Sequence, residues 1–405
     1  SKLIDLIILV GTNPLPCYLS ARYLWDTFNK DEIKNIYFIC STENPTIGQA
    51  GTYEIGERIQ NKLKEEFSDI KNKIMLLRVE DVRNKRDIAS KVKEINSEDI
   101  HLNYTGGTKS MAVFFYEECK NNYLNFSSSY LDSRSNYMIR NGDIDNDEDL
   151  RKRYKLSLSD IANLHNIAIK YGENNPDYKD VLNIFDEYIK EKEKGLGIWL
   201  DKDNGFDAKA FKKNNNEFVS CLNDIQENII KRPKVKAVWD KLPASLTTVH
   251  KKLEFLDGKW FEYWIYNLLV EDNDTEDITY YFDVKRQSNN EFQIDICAVY
   301  GYQLTVISVT TSKKKGEIKL KVFEAIHRAI QLGGDEAKII QLSLLPNNSV
   351  INKNEGIETT LKDVMIQDIK TDIGSLKSNF LFLGLDDIYE GKEKLRNKIK
   401  SYIIS

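Results

Sequence analysis

Two segments place small, hydroxyl-bearing and basic residues at the ends of apolar runs, where a chain can meet a ligand. Val10-Gly11-Thr12-Asn13-Pro14-Leu15-Pro16 follows the run 3–10, and Asn103-Tyr104-Thr105-Gly106-Gly107-Thr108-Lys109-Ser110 closes the run 100–105. Adjacent glycines allow the backbone to approach an anion closely. Thr108 and Ser110 are suited to cap a following helix, whose first turn offers free N–H groups and partial positive charge. Lys109 adds a point charge, so the segment suits a phosphate or phosphodiester. A tight turn and helix cap without a ligand accounts for the same residues. Neither segment fits G-x-x-x-x-G-K-[ST] or G-x-G-x-x-G, which weighs against ATPase and dinucleotide readings. Farther along stand two carboxylates, Glu262 in the apolar stretch 253–271 and Asp295 in the run 291–301. The next run carries Ser308 and Thr310, two residues apart and therefore on one face of a strand.

The elements that must position these residues follow from periodicity. Runs 3–10, 35–42, 73–80 and 100–105 read as strands, and 17–28, 53–66, 87–95 and 109–121 as helices between and after them. Runs 125–132 and 135–140 read as a closing hairpin. Repeated strand–helix units imply a largely parallel, Rossmann-like sheet. Residues 141–152 are polar and acidic and read as a boundary. From 156 to about 252 the pattern is helical, with a polar break at 209–218, and it suits a linker, a small helical domain or helices of the next domain. Beyond 253 the order is helix, three strands (278–286, 291–301, 302–312), helix (316–334) and strand (337–345), with a further strand and turn at 378–388.

The chain has 405 residues, enough for two or three domains. With 41% hydrophobic and 30% charged residues, 20 Gly and 7 Pro, it is neither fibrous nor disordered. Fifty-eight basic against 63 acidic residues give a net charge of −5, so a nucleic-acid partner is not announced by global charge. Five scattered cysteines without a CxxC motif support neither a disulfide framework nor a zinc cluster, and four isolated histidines argue against a multi-histidine metal site. The absence of a long apolar run points to a cytoplasmic protein without a membrane partner.

The segments Gly11-Thr12-Asn13-Pro14 and Asn103 to Lys109 resemble those of the CARF domain, the sensor of cyclic oligoadenylates in type III CRISPR ancillary proteins; the resemblance covers roughly residues 1–145. It implies a homodimer with one shared, two-fold pocket. Gly11, Thr12, Asn13 and Pro14 would line it together with Thr105, Gly106, Gly107, Thr108 and Lys109, with Ser41, Thr42 and Glu43 as weaker contributors. It also leaves open slow degradation of the activator by Lys109 and Thr12.

Glu262, Asp295, Ser308 and Thr310 follow the ordering of PD-(D/E)xK nucleases, in which two carboxylates hold one or two divalent metals beside the scissile phosphate. The resemblance implies Mg²⁺ or Mn²⁺. It breaks where the family has Glu-x-Lys, because here stand Ser308, Val309 and Thr310. Two substitutes are available. Lys313, Lys314 or Lys315 can swing back as the cation, and Glu262, Asp295, the Val309 carbonyl and water can hold magnesium. Lys319, Lys321, His327 and Arg328, around the stripe Leu320, Phe323, Ile326 and Ile330, form either an amphipathic surface helix or a grip on a phosphate backbone.

Together these readings give an α/β chain: an N-terminal Rossmann-like CARF domain (1–145), a helical region (146–252) and a C-terminal restriction-endonuclease-like α/β domain (253–405). The whole arrangement resembles the CRISPR ancillary nucleases activated by cyclic oligoadenylate, least so over 200–250. It implies cleavage of DNA or RNA, with cyclic tetra-adenylate as the family's default activator. The alternative is a ligand-responsive regulator that binds nucleic acid through an inactive nuclease-like domain.

Overall fold

The computed structural model of the chain describes residues 2–173, 176–211, 222–271, 277–288, 292–351, 355–374 and 380–405. Cys221, most of the polar break at 209–218 and the first residue of the run 291–301 lie outside the described residues. The chain divides into two units. The first comprises Ser1–Ala168, Val299–Leu304 and Ile330–Ala337, and the second Ile169–Ala298, Thr305–Ala329 and Lys338–Ser405.

The first unit is built on a seven-stranded sheet in the order β3-β2-β1-β4-β5-β6-β7. Its strands are β1 (Ile4–Leu9), β2 (Ile33–Ser41), β3 (Ile74–Val79), β4 (Asp99–Asn103), β5 (Asn125–Asp132), β6 (Tyr137–Arg140) and β7 (Asp143–Ile144). The first five pair in parallel, and β5, β6 and β7 pair antiparallel. The central strand reads Ile-Asp-Leu-Ile-Ile-Leu with both faces buried, as a parallel strand covered by helices requires. Crossovers run through α1 (Pro14–Thr27), α2 (Tyr53–Glu66), α3 (Lys85–Glu94) and α4 (Lys109–Asn122). Three of these helices begin on a side-chain cap: Asn13, Asn84 and Thr108 accept from Leu15, Arg86 and Met111 N–H groups.

The acidic stretch 141–152 is not a boundary. It contains β7 and opens α5 (Leu150–Arg153), whose Leu150 and Arg151 are buried, with Arg151 ion-paired to Asp149. Helix α6 (Leu158–Leu164) completes the unit's helices, its Asp160 bound to Lys62 of α2.

The second unit holds a six-stranded sheet, β15-β12-β11-β10-β9-β8. In chain order these are β8 (Ile169–Lys170), β9 (Ile278–Arg286), β10 (Gln293–Tyr300), β11 (Gln303–Thr310), β12 (Lys338–Ser343) and β15 (Leu381–Leu383), with β13 (Ser349–Ile351) and β14 (Glu358–Thr360) forming a separate ribbon. The helices are α7 (Lys179–Lys190), α8 (Leu196–Trp199), α9 (Leu222–Ile230), α10 (Pro233–Trp239), α11 (Val249–Glu254), α12 (Trp260–Val270), α13 (Lys315–Gly333), α14 (Leu361–Ile373), α15 (Leu385–Tyr389) and α16 (Lys392–Ile404). Phe185 of α7 stacks on Trp260 of α12 at 3.9 Å between ring centres. Helix α7 therefore folds with the second unit and packs on the helix that carries Glu262. The helical region read as 146–252 is split, its first part folding with the first unit.

Candidate functional site

In the first unit, β1 is flanked by β2 on one side and β4 on the other, so the sheet order reverses at the carboxyl ends of β1 and β4. Open α/β sheets bind ligands at such a point. Here the two glycine segments touch. A Cβ added to Gly106 would stand 2.5 Å from the Leu9 carbonyl, 2.6 Å from Cys17 Sγ and 2.7 Å from the Gly11 N. One at Gly11 would meet the Gly107 N at 2.9 Å. Only glycines allow this contact between the two loops. Gly107, at φ +85°, turns the chain into α4.

Beside this contact lies a cavity of about 290 Å³, lined by backbone of Gly11, Thr12 and Gly107 and by Ser41, Gln49 and Arg83 among others. Of the residues expected there, Gly11, Thr12, Gly107 and Thr108 line it, and so does Ser41. Asn13 and Pro14 build the start of α1 instead. Thr105 is turned to the scaffold, with its Oγ1 bonded to Ser20 and accepting from the Leu131 N–H at 2.8 Å. Gly106 acts through the close approach itself. Thr42 supplies its carbonyl to Gln49 Nε2 at 2.6 Å. Lys109 opens α4 as an exposed side chain, outside the cavity lining and without an ion pair among the described residues.

Gln49 was not singled out by its sequence, yet it organises the cavity wall. Its Nε2 also donates to the Glu80 carbonyl at 2.8 Å, and its Oε1 accepts from the Val82 N–H at 3.0 Å. Arg83 is held by Asp81 through two bonds of 3.1 Å each. Ser110 Oγ donates to the Val82 carbonyl at 3.1 Å, joining the α4 start to the same loop. No motif flags Gln49, because its role depends on two loops that converge only in the fold.

In the second unit, Glu262 lies in the first turn of α12, after a π-helical turn, Phe255–Lys259. Thr311 Oγ1 holds that turn by donating to the Asp257 carbonyl at 2.9 Å. The turn delivers Lys259, whose Nζ donates to Glu262 Oε2 at 2.7 Å. Asp295 on β10 accepts the Val309 N–H at 2.8 Å through Oδ2. Burial and the neighbouring Asp295 raise the Glu262 carboxyl above the usual range, against the pull of Lys259. Burial likewise raises Asp295, with Lys321, the Val309 N–H and Lys259 acting the other way and Asp283 adding to the rise. The two half-buried acids thus disfavour each other's charge.

Asp283 of β9 joins this charge field. It adopts φ +49°, accepts from Gln293 Nε2 at 2.8 Å and pairs with Lys285 at 3.0 Å. Ser308 is buried and shares with Asp295 a small cavity of about 30 Å³, room for a water or an ion. Thr310 Oγ1 accepts from the Ser312 N–H at 3.2 Å, shaping the exit of β11. Lys313 stands apart from the carboxylates: its Nζ donates to the Leu200 carbonyl at 2.9 Å. Lys314 pairs with Glu317 and Lys315 with Asp368. The substitution by a lysine swung back from this turn is therefore not the arrangement observed. Among the described residues, no group of three or more His, Cys, Asp or Glu side chains forms a ready-made metal centre.

Comparison with solved structures accounts for the architecture. Can2 from Sulfobacillus thermosulfidooxidans, solved in complex with cyclic tetra-adenylate, matches with a TM-score of 0.60 at 16% identity over 99% of each chain. The fold is that of Can2. Protein VC1899 from Vibrio cholerae matches with a TM-score of 0.59 at 13% identity over 98% of each chain. Because the match to Can2 runs along the whole chain, the combination of a Rossmann-like unit with a second α/β unit is shared, and not only one part. No protein-family model and no curated protein sequence matches the chain. Among the described residues, no helix is long and apolar enough to cross a membrane.

Proposed function

We propose that the chain is a metal-dependent nuclease switched on by a cyclic oligoadenylate, with the first unit as sensor and the second as effector. The observation that carries this reading is the half-buried Glu262–Asp295 pair, in which burial and the Asp295 charge raise the Glu262 carboxyl. Two acids held in one low-dielectric region, each penalised when the other is charged, are stabilised as carboxylates by a divalent cation. Glu262, Asp295 and the Val309 carbonyl fit Mg²⁺ or Mn²⁺, with water completing the shell. Such a cation supplies charge neutralisation at a phosphodiester and lowers the pKa of bound water. Lys259 keeps Glu262 oriented, and the Val309 N–H fixes one Asp295 oxygen.

In the first unit, the cavity beside Gly11, Thr12, Gly107 and Thr108 presents N–H groups and hydroxyls at a helix start, which suits phosphodiesters. Arg83 adds positive charge to its lining, and Lys109 follows Thr108 as an exposed cation at the start of α4. A cyclic, two-fold ligand is matched by two copies of the chain, so the active species in this reading is a homodimer. The fold shared with Can2, a protein solved with cyclic tetra-adenylate, supports this choice of activator. Activation then requires that the ligand favour one arrangement of the dimer over another.

A second reading, a ligand-responsive nucleic-acid-binding regulator, is favoured by one observation: Ser308 and Thr310 occupy the positions of the acidic residue and the lysine. The test separates the two. The purified chain is incubated with plasmid, single-stranded DNA and RNA, with Mg²⁺ or Mn²⁺, in the presence and absence of cyclic tetra-adenylate. Cleavage that needs both metal and activator supports the nuclease. Activator-dependent binding of nucleic acid without cleavage supports the regulator.

A further inference from the structure

On β11 the chain lacks the lysine that the nuclease reading needs, and the three lysines that follow the strand are engaged elsewhere. The small cavity beside Asp295 and Ser308 has a cationic wall of a different origin. Lys321 and Arg328, one face of α13, line it together with Glu324. Arg328 lies over the Phe292 ring at 5.1 Å, and a guanidinium cannot lose its proton. Lys259 is committed to Glu262 at 2.7 Å, and Lys319 of the same helix pairs with Asp372. Lys321 has no ion-pair partner among the described residues and borders the same cavity as the Asp295 carboxylate.

We infer that Lys321 is the catalytic lysine of this chain, supplied from helix α13 in place of the missing strand lysine. The inference rests on the nuclease reading above. In the reaction, the oxygen of a water molecule bonds to phosphorus and the ester P–O bond breaks with its electron pair. A proton of that water passes to solvent, and the leaving alkoxide takes one from solvent. Lys321, protonated throughout, donates to the attacking water or to a non-bridging oxygen and stabilises the charge that grows there. A helix can do this because only the position of the ammonium matters, not the element that delivers it. The four-carbon stem of lysine spans the distance from helix to strand face without fixing its own backbone in the site.

The experiment uses the whole chain with cyclic tetra-adenylate and Mn²⁺, comparing wild type, Lys321→Gln, Lys321→Arg and the control Leu320→Gln on the exposed face of the same helix. Cleavage is measured in single-turnover assays and Mn²⁺ binding by calorimetry. Lys321→Gln is expected to slow cleavage by about 100-fold or more. It should leave Mn²⁺ affinity unchanged or raise it, because a positive charge beside Asp295 has been removed. Lys321→Arg should recover part of the rate, and Leu320→Gln should cleave like wild type. In a Lys321→Gln background, Thr310→Lys restores a strand lysine and should regain at least about a tenth of the lost rate enhancement. Cleavage by Lys321→Gln within about threefold of wild type overturns the assignment. So does a parallel loss of cleavage and Mn²⁺ binding, which marks Lys321 as a support for the site's shape. If the wild type cuts no substrate, the nuclease reading fails and Lys321 falls with it. If the wild type cuts and Lys321→Gln cuts equally well, Lys321 alone falls.

Discussion

Replacing Gly106 by alanine should damage the cavity beside the two glycine segments through a single methyl group. The added Cβ would lie 2.5 Å from the Leu9 carbonyl oxygen and 2.7 Å from the Gly11 N, both backbone atoms at the end of β1. An ordinary carbon–oxygen contact is about 3.3–3.6 Å, so the 106–108 loop must retreat by roughly 1 Å. β1 cannot yield, because it is hydrogen-bonded to β2 and to β4 along its length. The third contact, Cys17 Sγ at 2.6 Å, is on a buried side chain that itself donates to the Leu9 carbonyl. Overpacking of this kind costs about 1–3 kcal/mol. In a unit of this size each kcal/mol lowers the melting temperature by roughly 2–4 °C. The same 1 Å shift carries the Gly107 and Thr108 N–H groups out of register with Gly11 and Thr12. Losing two hydrogen bonds of about 1 kcal/mol each should weaken cyclic tetra-adenylate binding by roughly 10- to 100-fold. The assay pairs a thermal melt with calorimetric titration. Gly316→Ala serves as control, since nothing lies within 4 Å of the added Cβ and its φ is not positive. If Gly106→Ala melts and binds like wild type, the loop contact does not shape the ligand site.

Lys109→Glu should abolish activator binding, at least tenfold in affinity, with little change in melting, because the side chain is exposed; calorimetry with cyclic tetra-adenylate checks it. Asp295→Ala should leave that binding intact while eliminating metal-dependent cleavage, and Glu262→Ala should act similarly but more mildly; a gel assay with Mn²⁺ decides between them. His101, bonded to Ser127 and Ser129, is pushed down to about 3 by burial and, secondarily, by Arg140. The unfolded chain takes up a proton near pH 6.5 that the folded His101 refuses, so its contribution is constant above that pH and is lost between 6.5 and about 3. Urea unfolding at pH 7 and pH 5 should differ by about 2 kcal/mol from this group, and His101→Gln should remove that difference.

The sheet of the first unit was legible because its strands are short β-branched runs separated by amphipathic stretches, and the start of α4 because Thr108 announces a cap. The resemblance placed both glycine segments at one pocket, whereas their direct contact follows from the pairing of β1 with β4, which the sequence does not order. The carboxylates of the second unit could be named from order alone. What stayed hidden depends on convergence of distant segments. Gln49 bridges two loops, and of the basic helix already named from sequence it took the fold to show that Lys321 borders the Asp295 cavity while Lys313 to Lys315, nearer in sequence, are tied elsewhere. The acidic stretch 141–152 misled because its charges look solvated, whereas Leu150 and Arg151 anchor it in the first unit's interior. The split of the helical region was equally hidden, since amphipathic periodicity shows that a face is covered but not by what.

The division of the chain carries a consequence for how such a protein can be taken apart. The first unit is assembled from three separate stretches, the last two taken from within the sequence span of the second. A cut after Ala168 would strip the first unit of 299–304 and 330–337 and leave those two stretches on the fragment that carries the whole second unit. The two units are thus interleaved along the sequence. Exchanging one for a foreign counterpart by a single crossover would fail, and any successful recombinant must inherit all three stretches from the same parent.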